Sequence, residues 1–218
     1  MVDVLGITPI FNKWIAVAWG VPIILCLASV GFSVLSPDVH LVPIRDSLEP
    51  MFASADKPMP KYIGVLMVVS ALTIGAAING VLLISEELGW RGYLWSKIIG
   101  FGFWKTALFT GIIWGFWHAP LIYMGHNYPG MPIAGIFLMV ILTTLMSPII
   151  GYIRLRNGSV WAASLFHGTV NAVAALSILP LSVQTFPWNG MVGIGGFAVL
   201  AIGCVWVYFA HKKSQLPL

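Results

Sequence analysis

Six long apolar stretches run almost end to end through this chain, at residues 14–35, 62–84, 106–124, 132–153, 160–179 and 191–210. Each is close to the ~20 residues that a helix needs to cross ~30 Å of hydrocarbon. Inside hydrocarbon every backbone N–H and C=O must be paired within the protein, so an apolar span is helical unless it closes into a barrel. A barrel requires short strands that alternate apolar and polar residues, and no such alternation occurs here. Charged residues make up 8% of the chain. A soluble domain carries about 25%, so this chain has too little charge to cover a water-facing surface. These features predict an all-α polytopic membrane bundle of about six transmembrane helices.

Two further segments complete the organisation. The stretch 88–105 is too short and too mixed to span, and is expected to lie at the interface, anchored by Trp90, Trp95 and Trp104. The stretch 36–61 reads as the one sizeable loop; it holds five prolines and four of the seven acids. The N-terminus opens with an acid and lacks a basic leader, which predicts an uncleaved first span. With six spans, one side carries Lys13, Lys97, Lys105, Arg154, Arg156, Lys212 and Lys213, and the other Arg45, Lys57 and Lys61. Seven against three places both termini in the cytoplasm, in a multi-pass protein of the plasma membrane. The net charge of +4 is scattered and forms no stripe, so nucleic acid is excluded as a partner. Cys26 and Cys204 stand alone in apolar runs and form no CxxC pair, so neither a disulfide framework nor a cysteine nucleophile is expected.

A few strongly polar groups then stand out in or beside the spans: Glu86, Glu87, Arg91, His118, His167 and Asn171. An ionisable group at membrane depth costs several kcal/mol unless paired or hydrated, which makes each a functional candidate. Glu87 and Arg91 are four apart, share a helix face and can pair. Glu86 and Arg91 are five apart, about 140° around an ideal helix, so Glu86 is left free for chemistry. Trp114 and His118 are also four apart, as are His167 and Asn171. Three segments thus each offer a one-faced polar pair, and a shared inward cavity satisfies all three.

A carboxylate and an imidazole in such a cavity can hold and activate a water, while a second imidazole and an amide donate to an oxyanion. That is the equipment of an amide hydrolase without a serine or cysteine nucleophile. The same residue types, Glu86, His118 and His167, also match a two-His-one-Glu zinc set, although no HExxH is present.

The ordered motifs Glu86-Glu87-x-x-x-Arg91, Trp114-x-x-x-His118 and His167-x-x-x-Asn171 resemble those of the CPBP intramembrane proteases, also called the Abi or type II CAAX prenyl protease family. The similarity covers about residues 62–179, with Trp where the family has Phe before the first histidine. The resemblance implies an intramembrane peptidase in which Glu86 activates water, His118 assists, and His167 and Asn171 stabilise the oxyanion. Glu87, Arg91 and Trp114 would support them. The family has been described as both metalloprotease and glutamate protease. The HxxxN pair favours the glutamate type with no metal or other cofactor, and zinc on Glu86, His118 and His167 is the alternative. The expected partners are the bilayer and a membrane-embedded or lipidated peptide or protein substrate, with CAAX-type processing as the precedent. A non-catalytic scaffold or bacteriocin-immunity protein is the competing role. The expected division is 1–61 for an N-terminal span and external loop, 62–180 for the catalytic membrane core, and 181–218 for a C-terminal span and cytoplasmic tail. For Glu86 and His118 to meet, the helices must tilt or the second must continue inward past Arg91.

Overall fold

The computed structural model describes residues 5–214; residues 1–4, with the acidic start of the chain, and residues 215–218 lie outside the described residues. Every regular element among the described residues is a helix, apart from one isolated bridge between Leu41 and Leu181. Helix α1 (Lys13–Ser33) starts where the Asn12 side chain accepts from the Trp14 N–H. The expected loop 36–61 contains a helix, α2 (Ile44–Ser54), which begins behind Pro43 and buries Leu48. Helix α3 spans Ile63–Leu82 and includes a π-helical turn at Ala71–Gly75.

After α3 the chain continues through α4 (Ile84–Glu87), a π-helical stretch Leu88–Leu94 and α5 (Trp95–Ile98). The second apolar segment therefore does run on past Arg91. Trp95 corrects one expectation: it is 2% exposed, with its ring packed where a side chain on Gly151 would otherwise sit, and is a core residue instead of an interfacial anchor.

Helix α6 (Phe103–Trp117) gives way at His118 to the short α7 (Ala119–Tyr123), which carries Pro120 in its first turn. Helix α8 (Pro132–Asn157) ends at Gly158, whose φ of 93° closes the helix in the left-handed region. Helix α9 (Val160–Val173) is capped by the Ser159 hydroxyl, which accepts from the Trp161 N–H. Helix α10 (Ile194–Ser214) is the last.

Four of these, α1, α3, α8 and α10, are long and apolar enough to cross a membrane. The other two expected spans fold as helices of 15 and 14 residues, α6 and α9. The first is cut by the break ahead of Pro120. The second loosens into a 3-10 turn at Ala175–Ser177. Helix α9 is buried on nearly every side and packs on α1, α3 and α8, so protein encloses it. Helix α8 is the central post: half of its most apolar window is buried, against 11% for α3. The outward faces carry Leu66, Ile78 and Leu82 on α3, Phe109 and Phe116 on α6, and Ile202 and Phe209 on α10, all exposed. Water would not tolerate so continuous an apolar coat, and a bilayer requires it. The chain is an integral membrane protein with an all-α helical bundle.

Small residues set the closest helix contacts. A Cβ on Gly168 of α9 would lie 2.2 Å from the backbone nitrogen of Gly80 on α3. A Cβ on Gly115 of α6 would lie 2.5 Å from Cα of Val140 on α8. Backbones that touch in this way hold helices together where lipid offers no hydrophobic drive between them.

Candidate active site

These close contacts position the polar pairs. The Gly80–Gly168 approach brings the end of α3, with Glu86 and Glu87 just beyond it, alongside His167 and Asn171 on α9. The Gly115–Val140 approach fixes the C-terminal half of α6, which carries Trp114 and leads into His118. Glu86, Trp114, His118, His167 and Asn171 all line one cavity of about 280 Å³. Its remaining wall is largely apolar, with Met139, Leu142, Met146, Val170, Met191 and Val192.

The tautomer of His118 follows from its partner. The backbone N–H of His118 bonds Gly115 O, one residue short of the α-helical register. The His118 Nδ1 lies 2.8 Å from the carbonyl oxygen of Trp114. A carbonyl only accepts, so Nδ1 carries the hydrogen, and in the neutral ring Nε2 is left with a lone pair. Glu86 is half-buried, and its Oε2 accepts a long bond of 3.4 Å from Trp114 Nε1.

Behind the cavity lies a fully buried ionic cluster. Arg91 Nη1 donates to both oxygens of Glu87, at 3.0 and 3.2 Å, and both side chains are 0% exposed. The same Oε1 accepts from His167 Nδ1 at 3.0 Å. The guanidinium sits 4.4 Å over the ring of Trp114, and that ring meets His167 edge-on at 4.9 Å. Glu87 and Arg91 therefore form the expected pair, and the pair also holds one of the cavity's histidines. Asn171 is one turn beyond His167 on the same face, and its side chain makes no hydrogen bond to another described residue.

His126 was not among the candidate residues. It lies in the loop after α7, but it lines the cavity together with Asn127. The turn that folds it back has φ of 97° at Gly125, 60° at Asn127 and 78° at Gly130. It is pinned by Tyr128, whose hydroxyl donates to Val192 O at 2.8 Å, and by Asn189, whose amide donates to Asn127 O. Burial pushes the Tyr128 phenol well above its usual range, which keeps it a neutral donor. The Gly-His-Asn-Tyr-Pro-Gly run at 125–130 was the available signal for this reversal. Asn79, on α3, is a polar residue that the reading of the spans passed over; an asparagine that deep in an apolar run was its signal.

The zinc alternative meets a geometric obstacle. Among the described residues no three His, Cys, Asp or Glu side chains are gathered closely enough to hold a metal ion. Glu86, His118 and His167 share a cavity without forming a ligand set.

Residues 62–173, just over half of the chain, match the family model described as type II CAAX prenyl endopeptidase, Rce1-like. A segment of 44 residues is 41% identical to CAAX prenyl protease 2 of Methanococcus maripaludis; it is 20% of this chain and 16% of that relative. No solved structure matches. The matched region holds Glu86, Glu87, Arg91, Trp114, His118, His167 and Asn171 in order on the elements that build the cavity, and on that match the chain belongs to the Rce1-like family of type II CAAX prenyl endopeptidases.

Proposed function

We propose that this protein is an intramembrane endopeptidase of the metal-free glutamate type, acting on a lipid-anchored substrate with a CAAX-type C-terminus. The observation that carries the reading is that a carboxylate, Glu86, and an imidazole with a bare Nε2, His118, line the same cavity as His167 and Asn171. A water between Glu86 and His118 loses a proton to the carboxylate as its oxygen attacks the substrate carbonyl. The negative charge that develops on the carbonyl oxygen is met by the Asn171 amide and, when the ring carries both protons, by His167 Nε2. Glu86 then delivers its proton to the departing nitrogen. The C–N bond breaks, leaving a new carboxylate and a new amine.

Trp114 steadies Glu86 through its indole N–H, and the Glu87–Arg91 pair fixes the ring plane of His167. The basic residues favour both termini in the cytoplasm, so that substrates arrive on that face.

The test is cleavage of a farnesylated CaaX peptide by purified protein in lipid nanodiscs. Wild type releases the C-terminal tripeptide, and Glu86→Gln, with unchanged thermal unfolding, releases none. Release by a well-folded Glu86→Gln protein would refute the mechanism. No release by wild type on this or other lipidated peptides would favour a non-catalytic scaffold or immunity role.

A further inference from the structure

A second groove of about 440 Å³ runs along the seam between α3 and α9, lined by Leu66, Ser70, Gly75, Asn79, Asn171 and Ala175, among others. Asn171 lines both this groove and the catalytic cavity, so the two spaces adjoin at that residue. Alanines and a glycine line much of the trough, and the π-helical turn Ala71–Gly75 contributes to it. Single π turns inside α-helices are rare and cluster at functional sites.

Asn79 is the residue that needs explaining. It sits between lipid-facing Ile78 and buried Gly80, and its side chain makes no hydrogen bond to another described residue. An amide left unpaired at membrane depth is costly, and such residues mark ligand paths. A peptide drawn out of water in extended form has the complementary problem: its own N–H and C=O groups need partners. A carboxamide offers one acceptor and two donors, which suits a peptide main chain and gives nothing to an acyl chain.

We propose that this groove seats the substrate backbone on the lipid-anchored side of the scissile bond. Asn79 bonds its main chain, and Asn171 stands where that chain enters the cavity. This rests on the proteolytic reading above and adds the path by which the substrate reaches Glu86. Leu66, 55% exposed on the rim, faces the hydrocarbon from which an anchored substrate arrives.

The probe is a farnesylated CaaX peptide with a photoreactive residue two positions before the modified cysteine, used with the full chain in nanodiscs. Cross-links are expected on residues 66–70 and 172–176, in wild type and in Glu86→Gln alike. Asn79→Ala is expected to raise KM about tenfold with kcat held within about twofold, the pattern of lost uniform binding. Ala175→Phe, at an exposed position just past the end of α9, fills the groove without touching the α3–α9 contact and is expected to raise KM similarly. Cross-links that map elsewhere, or both variants retaining the wild-type KM, would overturn the proposal. Because the cross-link needs no turnover, a wild type that binds in the groove but never cleaves counts against the hydrolytic reading alone.

Discussion

His167 Nδ1 and Glu87 Oε1 lie 3.0 Å apart, joining residues 80 positions apart in the chain, and the same oxygen accepts from Arg91 Nη1 at 3.0 Å. One carboxylate oxygen thus links a buried guanidinium to a ring that faces the cavity. Removing its charge while keeping its shape weakens the hold on His167. Glu87→Gln is expected to lower kcat about 10- to 100-fold, the scale on which groups that orient an imidazole act. Both variants leave Arg91 buried without its anion, but the Gln oxygen still accepts from it, so Glu87→Gln is expected to destabilise less than Glu87→Ala, which removes anion and acceptor together and is expected to cost about 3–5 kcal/mol. Thermal unfolding in detergent separates the two, and a Glu87→Gln enzyme with wild-type kcat would show that the contact only packs the fold.

Trp114 has two separable roles. Its N–H reaches Glu86 at 3.4 Å, a weak bond, while its ring lies under Arg91 and against His167. Trp114→Phe keeps an aromatic face and loses the donor, so kcat is expected to fall about three- to tenfold with little change in stability. Trp114→Ala removes a side chain that is 2% exposed and is expected to destabilise by about 3–5 kcal/mol. Equal kcat for wild type and Trp114→Phe would remove Trp114 from the positioning of Glu86.

Much of this site was legible because helical spacing is local. Residues four apart share a face, so Glu87 with Arg91, Trp114 with His118, and His167 with Asn171 could each be paired from the sequence, and ordered motifs tied them to one family. The bundle itself was legible from apolar length. What escaped depended on contacts between segments. Nothing in the spacing said that Glu87 would also hold His167, since that requires α9 to touch the end of α3 at Gly80 and Gly168. His126 reaches the cavity only because the glycine turn folds the loop back, and Trp95 looked like an anchor until Gly151 made room for its ring. Spans α6 and α9 looked longer because hydropathy does not register a break such as the one ahead of Pro120.

Metal removal is a direct test of the cavity's chemistry. No three ligand-type side chains are gathered among the described residues. Zinc would therefore require Glu86, His118 and His167 to draw together, with each histidine ligating through Nε2 while its Nδ1 contact is kept. Protein dialysed against EDTA and assayed in chelator is expected to keep its full cleavage rate. Loss of activity that added zinc restores would make Glu86, His118 and His167 metal ligands and replace the glutamate mechanism.

The last prediction concerns the contact that assembles the site. A methyl group on Gly168 would meet the backbone of Gly80 and Asn79 at 2.2 to 2.6 Å, and backbone cannot rotate away as a side chain can. Gly168→Ala must push α9 from α3, at an overpacking cost of about 1–3 kcal/mol. Glu86 follows α3 and His167 rides on α9, so the same displacement separates the two. Since misplacement by about 1 Å can cost on the order of 100-fold in rate, activity is expected to fall far more than stability. Gly80→Ala is the matched control: its Cβ would have Leu165 Cα as nearest neighbour at 3.4 Å, an ordinary contact, so fold and turnover are expected to stay near wild type. Comparing kcat and unfolding temperature for the two variants decides the matter, and equal turnover in both would mean that the cavity does not depend on this approach of the helices.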